Sequence, residues 1–293
     1  MTFLAVISII LIFAECIMFG IGNVYMNVAL QSMPATLCYA TRSLIAFVCY
    51  LIFFGKHIFK SIKKEHILPC TLISCCMTGA MISGSFSLKY AEPSTAGFLI
   101  SIAVIFSPFF SFWLLRKKTS KIVIIPIVLT VAGMYFLCGG GLEFTMGFGE
   151  IMGVLCSVIY SMTMVLSEKY VKYIDVSILS FFQTGIGALI CFVISFFTSD
   201  IPILFTMSPS NWYTILYLGV FCSFAAFYFQ NFALRHISSN LASILFTTES
   251  IFTASFAFII LGDDMTLFEI LGSVLILAGV TGGSLINKNT NSI

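Results

Sequence analysis

Charged side chains are scarce in this sequence: Asp, Glu, Lys and Arg make up 9% of its 293 residues, against roughly a quarter in an ordinary soluble domain. With 59% hydrophobic residues and a mean hydropathy of +1.08, there is too little polar surface to coat a water-facing exterior, so lipid must be the main solvent. Histidine occurs three times, and His57, His66 and His236 stand apart from the buried carboxylates, which excludes an obvious metal centre or membrane-embedded hydrolase. The ten cysteines lie mostly in apolar stretches without CxxC spacing, the pattern of buried free thiols. There is no phosphate-cradling loop with its lysine, no HExxH, no GxSxG and no complete dinucleotide fingerprint; Gly139-Gly-Gly141 belongs to an outer loop. No loop is long enough for a nucleotide-binding domain, so an ATP-driven pump is excluded and no cofactor or enzyme activity is expected. The formal charge of +2 is dispersed in short loops, which leaves nucleic acid no basic surface.

What the chain has instead is long apolar runs. Ten are read as spans, at 4–29, 36–54, 67–88, 94–115, 121–138, 148–167, 177–197, 212–234, 240–261 and 267–286. A hydrocarbon core about 30 Å thick needs roughly 20 such residues per helical crossing. Backbone groups facing lipid must bond within their own segment, and no short alternation of a barrel strand is present, so the fold class is an all-α membrane protein. Met1–Ala29 has no basic start and an apolar run too long for a cleaved signal, so it is read as a retained first helix.

Basic residues fill every second gap: Lys56, Lys60, Lys63 and Lys64; Arg116, Lys117, Lys118 and Lys121; Lys169 and Lys172; Arg235; and Lys288. Those are twelve of the fourteen, which the positive-inside rule assigns to the cytoplasm, together with both termini. Lys89 faces the other side, where Glu92, Glu143, Glu150, Asp200, Asp263 and Asp264 also fall.

Displacing the sequence by 146 residues aligns 88–133 with 234–279 without a gap, and thirteen of those 46 positions are identical, including Ala96 with Ala242, Phe106 with Phe252 and Ala132-Gly133 with Ala278-Gly279. The chain is therefore read as two five-helix repeats, 1–140 and 147–287. An odd number of crossings per half inverts the second copy, an arrangement typical of secondary transporters, in which the two halves exchange conformations around one central site.

The run Phe227-Tyr-Phe-Gln-Asn-Phe-Ala-Leu-Arg235, with Ala242–Phe246, Glu249 and Leu261-Gly-Asp263, resembles the second repeat of EamA-type carriers of the drug/metabolite transporter superfamily. Phe19-Gly20, Arg42-Ser-Leu-Ile-Ala46 and Ala96-Gly-Phe-Leu99 leading to Pro108 carry the likeness through the first half. The resemblance implies a ten-helix, two-repeat carrier of the cell membrane, often an exporter of metabolites or amino acids. The sequence departs from that pattern at Phe19, where Trp is frequent, at Ser250, where Pro usually follows the glutamate, and at Asp263, where Glu is common.

Ionisable groups at membrane depth usually face a bundle interior or a wet cavity. Glu15, Phe19, Asn23 and Asn27 form an i, i+4 stripe on span 1 that should point inward. Glu15 is read as a proton-titratable or cation-recognising group, with a single interhelical hydrogen bond as the structural alternative. Arg42 binds an anionic substrate group, pairs with a carboxylate or snorkels to the surface; the resemblance implies an inward structural pair. A 141-residue displacement sets Gln183 opposite Arg42, Tyr160 opposite Phe19 and Cys156 opposite Glu15, while the 146 displacement sets Glu249 opposite Ala103. Gln230 and Asn231, late in span 8, line an inner vestibule or only bond a neighbouring helix. Ala80, Gly84, Gly185, Gly187 and Ala188 are expected at close helix contacts, and Pro108 is expected to kink span 4.

The expected partners are a small-molecule substrate, protons and the lipid bilayer, with the chain acting as a monomer or homodimer. A translocase of lipid-linked head groups, a non-transporting sensor and a membrane enzyme are the competing readings.

Overall fold

A backbone surrounded by hydrocarbon has no water to bond, and the computed structural model answers that constraint with helix. It describes residues 3–91, 93–117, 121–137, 147–198, 200–261 and 266–290, and no strand occurs among them. Glu92, Lys118, Cys138, the Gly139–Gly141 run, Glu143, Asp263 and Asp264 lie outside the described residues, as do the side chains of Asn27, Lys121 and Lys288.

The first three helices are long: α1 (Phe3–Ser32), α2 (Ala35–Ser61) and α3 (Lys64–Tyr90). At about 1.5 Å per residue, the 27 residues of α2 span about 40 Å, so its basic end clears the hydrocarbon. The fourth stretch is split into α4 (Pro93–Ser101) and α5 (Ala103–Leu115), and a short 3₁₀ turn leads into α6 (Ile124–Leu137). After α7 (Phe148–Tyr170) and α8 (Val176–Phe197) come a single turn, α9 (Ile203–Thr206), and α10 (Pro209–Gly219). A π-helical segment, Val220–Ala225, joins α10 to α11 (Ala226–His236). The ninth stretch is again split, into α12 (Ser239–Phe246) and α13 (Thr248–Leu261), before α14 (Leu267–Thr290). Among the described residues, eight helical stretches can cross a membrane by length and composition; α6 is a shorter apolar helix and α12–α13 is interrupted.

The two splits share one register. Pro93 and Ser239, the first residues of α4 and α12, are 146 positions apart, as are Leu115 and Leu261, the last residues of α5 and α13. Pro108 was expected to kink the fourth span, but it sits inside α5 and the break falls at Ile102. The second break, at Thr247, aligns with Ser101 and so falls within one residue of the first; it has no proline within the following turn, so the interruption belongs to the rod's geometry and not to a missing N–H.

Side chains are sorted in the reverse of a soluble core. Ile52, Phe109, Phe197 and Ile259 are largely exposed on the outside, whereas Glu15, Arg42, Gln183, Gln230 and Asn231 are buried. Hydroxyls inside the helices bond carbonyls of their own preceding turn, as Ser74 does to Cys70 at 2.6 Å and Thr78 to Ser74 at 2.8 Å. That local satisfaction is what a serine or threonine needs in a medium without water.

Glycine sets the closest approaches. A methyl at Gly133 of α6 would lie 2.7 Å from the Gly272 carbonyl oxygen of α14, and one at Gly279 would lie 2.8 Å from the Pro126 carbonyl oxygen. The pairs 133/272 and 279/126 exchange under the same 146-residue displacement, and they make α6 and α14 antiparallel. α2 and α8 are antiparallel as well: Tyr39 lies 3.2 Å from the Cβ position of Gly187, and Phe47 stacks on Phe181 at 4.7 Å between centroids. α3 meets α7 through Gly84, whose Cβ position is 3.0 Å from Cys156 Sγ. Gly84, Gly185 and Gly187 therefore act at helix contacts, as expected from the sequence.

At the lysine-rich end, Asp175 caps α8 by accepting from Ser177 N at 2.9 Å, and its second oxygen lies 3.4 Å from His57 Nε2 of α2. Partial burial pushes the Asp175 carboxyl up, but hydrogen bonds from Ser177 and His57 outweigh it and hold the group below its ordinary value. A depressed carboxyl contributes stability that is present above its unfolded pKa, about 4, and lost as pH falls through the folded value. Asp175→Asn should flatten the loss of thermal stability between about pH 5 and pH 3 in detergent. A larger change is expected from Gly133→Leu: overpacking against backbone costs about 1–3 kcal/mol, read as a lowered unfolding midpoint, with Gly55→Leu, where nothing lies within 4 Å of the added Cβ, as the control.

Candidate functional site

Both breaks open onto one cavity of about 480 Å³, lined by α1, α3, α7 and the two split rods, with Arg42 of α2 at its edge. Ser101 and Ala103 border it beside the first break, and Thr247, Glu249 and Ser250 beside the second. Ser101 Oγ and Ser250 Oγ are 3.4 Å apart, so the two breaks face each other. Towards the end away from the basic loops, the lining continues through Leu88, Leu137 and Glu269, near the ends of α3, α6 and α14.

Glu249 lies in the first turn of α13, where the positive end of a helix favours a carboxylate. Asn23 Nδ2 donates to its Oε1 at 2.9 Å and also to Thr253 Oγ1 at 3.1 Å, and Thr253 gives its own proton to the Glu249 carbonyl at 3.0 Å. Glu249 Oε2 has no donor among the described residues, and the side chain is only part-buried.

Arg42 is held differently. Its Nε donates to Ser223 Oγ at 2.8 Å and its Nη2 to the Cys222 carbonyl at 2.6 Å, both in the π-helical segment. Ser223 Oγ in turn donates to the Leu218 carbonyl at 3.0 Å, and Tyr50 OH to the Phe224 carbonyl at 2.7 Å. A π-helical turn disturbs the regular ladder, and side chains of α2 take up its carbonyls. The guanidinium is flanked by Phe19 at 6.0 Å and Tyr39 at 5.8 Å from the ring centroids, within cation–π range. Its structural pair is therefore a backbone segment, with no carboxylate in contact.

Of the nine residues singled out from sequence, Phe19, Asn23, Arg42, Tyr160 and Glu249 line the cavity. Gln230 stands behind the wall, its Nε2 donating to Tyr160 OH at 2.9 Å. Asn231 Nδ2 bonds Gln183 Oε1 at 2.7 Å and Ser180 Oγ at 2.8 Å, which ties α11 to α8 away from the lining. Glu15 is fully buried, one turn from Phe19, and neither carboxyl oxygen has a hydrogen-bond partner.

Two charged residues that act at the site were not singled out from the sequence: Glu269, which lines the cavity, and Glu168 beneath it. Glu168, 2% exposed near the end of α7, accepts from Lys117 Nζ at 2.5 Å and from Ser239 N and Oγ at 2.8 and 2.7 Å. It thereby clamps the end of α5 and the start of α12 to α7. Arg116, in the left-handed region with φ 53°, ends α5 and turns the chain towards this contact. Met164 and Ser243 form the cavity floor, and Glu168 and Ser239 lie four residues further towards the basic end, about one helical turn. An acidic residue inside a basic membrane edge, with the Ser238-Ser239 helix start to receive it, was the available signal.

A helical membrane protein with a largely apolar internal cavity bordered by a few polar and charged groups defines the class, and the sequence comparisons give the family. The model of the EamA-like transporter family matches residues 6–139 and 147–284, and the chain belongs to that family. It is thus a multi-pass membrane protein of a transporter family. The uncharacterized transporter YoaV of Bacillus subtilis is 24% identical over 282 residues, 94% of each chain. An uncharacterized transporter of Clostridium kluyveri is 24% identical over 235 residues, 77% of this chain and 72% of that one. A protein of known crystal structure superposes with a TM-score of 0.80 at 16% identity, over 97% of this chain and 98% of that one, a likeness of fold.

If the Glu168 clamp closes the floor, Glu168→Ala should raise the labelling rate of Met164→Cys by a charged thiol reagent applied from the basic side by at least several-fold, with Cys156 replaced by Ser. An unchanged rate would show that the floor is shut by packing alone.

Proposed function

We propose that the chain is a secondary carrier that moves a small polar or amphipathic metabolite, such as an amino acid, out of the cell by alternating access. In this reading residues 1–140 and 147–287 are inverted five-helix repeats, α6 and the split rod α12–α13 cross the bilayer as well, and there are ten crossings in all. Both termini lie in the cytoplasm with the basic loops. The chain works as a monomer or homodimer, and its substrate leaves chemically unchanged.

The observation that carries this reading is the pair of helix breaks, within one residue of equivalent positions in the two halves, facing each other across one cavity. Discontinuous helices at the meeting of repeats are where secondary transporters place their sites, because non-helical backbone at membrane depth is tolerated only against protein or water. The antiparallel packing of α6 on α14, with contacts that exchange between halves, supports the inversion. With the cavity extending towards the end opposite the basic loops and Glu168 clamped beneath it, the arrangement fits an outward-facing state. Release of Lys117 and Ser239 from Glu168 would accompany opening on the cytoplasmic side. Glu15, buried and unpartnered beside the polar stripe, is the proposed proton site.

Reconstitution into sealed vesicles with labelled amino acids and metabolites, with and without an imposed pH difference, tests the reading. Accumulation of an intact compound is expected; binding without movement, or chemical change of the ligand, would contradict it. Glu15→Gln should leave exchange in place while abolishing the response to the pH difference, and undiminished coupling in that variant removes the proton role.

A further inference from the structure

The charges around the cavity are not equally free to meet a ligand. Arg42, Glu249 and Glu269 are its charged lining residues among those described. Arg42 is the cation, and its Nε and Nη2 are committed to Ser223 and the Cys222 carbonyl while Phe19 and Tyr39 flank its planar group. Those two bonds hold the guanidinium against the π-helical segment, and Nη1 has no partner among the described residues. Glu269, at the rim, closes the start of α14 by accepting from Thr266 N at 2.6 Å and Thr266 Oγ1 at 3.0 Å. Glu249 is the acidic group left open: Asn23 fixes Oε1, and Oε2 has no donor among the described residues, in a part-buried side chain that borders the cavity.

A carboxylate oriented by a neutral amide, with one oxygen open in a low-dielectric hollow, is complementary to a positive hydrogen-bond donor. We propose that the molecule taken up by this cavity carries a cationic amine, whose ammonium group sits on Glu249 Oε2. Ser250 and Ser101 hydroxyls beside the breaks offer further acceptors, and Phe19 and Phe246 offer aromatic faces for the carbon skeleton. A volume of about 480 Å³ admits an aromatic or branched amine with room for water. A simple carboxylate or phosphate has no positive donor to place on Glu249 and is disfavoured beside it. As a statement about transport this rests on the carrier reading; as a statement about binding it does not.

The test is calorimetric titration of the purified chain at pH 7.5 with three probes of one shape: 2-phenylethylamine, 3-phenylpropanamide and 3-phenylpropionate. The amine should bind at least tenfold more tightly than the amide or the acid. Glu249→Gln should erase that preference, Glu249→Asp should retain part of it, and Asp175→Asn, at the start of α8 and outside the lining, should keep it. Equal or tighter binding of the acid, no detectable amine binding at millimolar concentration, or a preference that survives in Glu249→Gln would overturn the assignment. The preference of the unaltered chain decides the matter should a variant fail to elute as a single folded species. Amine that binds and does not cross sealed vesicles counts against the carrier and leaves the charge assignment standing. Metabolite movement without amine binding does the opposite.

Discussion

A peptide chain that stops being regular helix inside hydrocarbon must find new partners for the groups it releases, or face water. Three interruptions in this molecule obey that constraint, and each fixes part of the site. The breaks at Ile102 and Thr247 face each other across the cavity, and the π-helical segment Val220–Ala225 is met by Arg42 and Tyr50 from α2. Ser101, Thr247, Glu249 and Ser250 gather beside the two breaks and border the cavity, while the amides of α8 and α11 lie in regular helix and bond within the protein. Glu249 illustrates the coupling: it is placed by the restart of helix at Thr248 and aimed by Asn23 of α1.

The same logic separates groups that hold the frame from groups left for a ligand. Asn231, Gln183 and Ser180 satisfy one another between α8 and α11, and Gln230 aims the Tyr160 hydroxyl. Arg42, read from the sequence as a ligand group, a structural pair or a snorkelling side chain, is tied through Nε and Nη2 to the π-helical segment. Glu168 looks like one more charge at a membrane edge, yet it binds α5 and α12 to α7 beneath the cavity. Glu15 belongs to neither set, since no hydrogen bond of the folded chain accounts for it.

The helical class and the inward face of α1 were legible from hydropathy and i, i+4 spacing, because both follow from local geometry. The aligned start and end of the split rods were foreshadowed by the 146-residue register, although the breaks themselves were not, since neither Ser101-Ile102 nor Thr247 carries a helix-breaking residue and Pro108 drew attention six positions away. Long-range pairing was hidden for a different reason. Whether an amide such as Asn231 meets a ligand or another amide depends on how α11 is rotated against α8, which a single sequence does not encode in any short pattern. The π-helical turn that captures Arg42 likewise leaves no mark beyond an unremarkable run, Val220-Phe-Cys-Ser-Phe-Ala225.

The central claim, two halves that expose one hollow to opposite sides in turn, is tested most directly by distances at the two ends. Spin labels at Tyr90 and Leu267 report the end away from the basic loops, and labels at Arg116 and Tyr173 the basic end, in cysteine-depleted protein held in lipid at two pH values. The account predicts reciprocal movement, one pair closing as the other opens. Distances at both ends that stay fixed, or widen together, would contradict it.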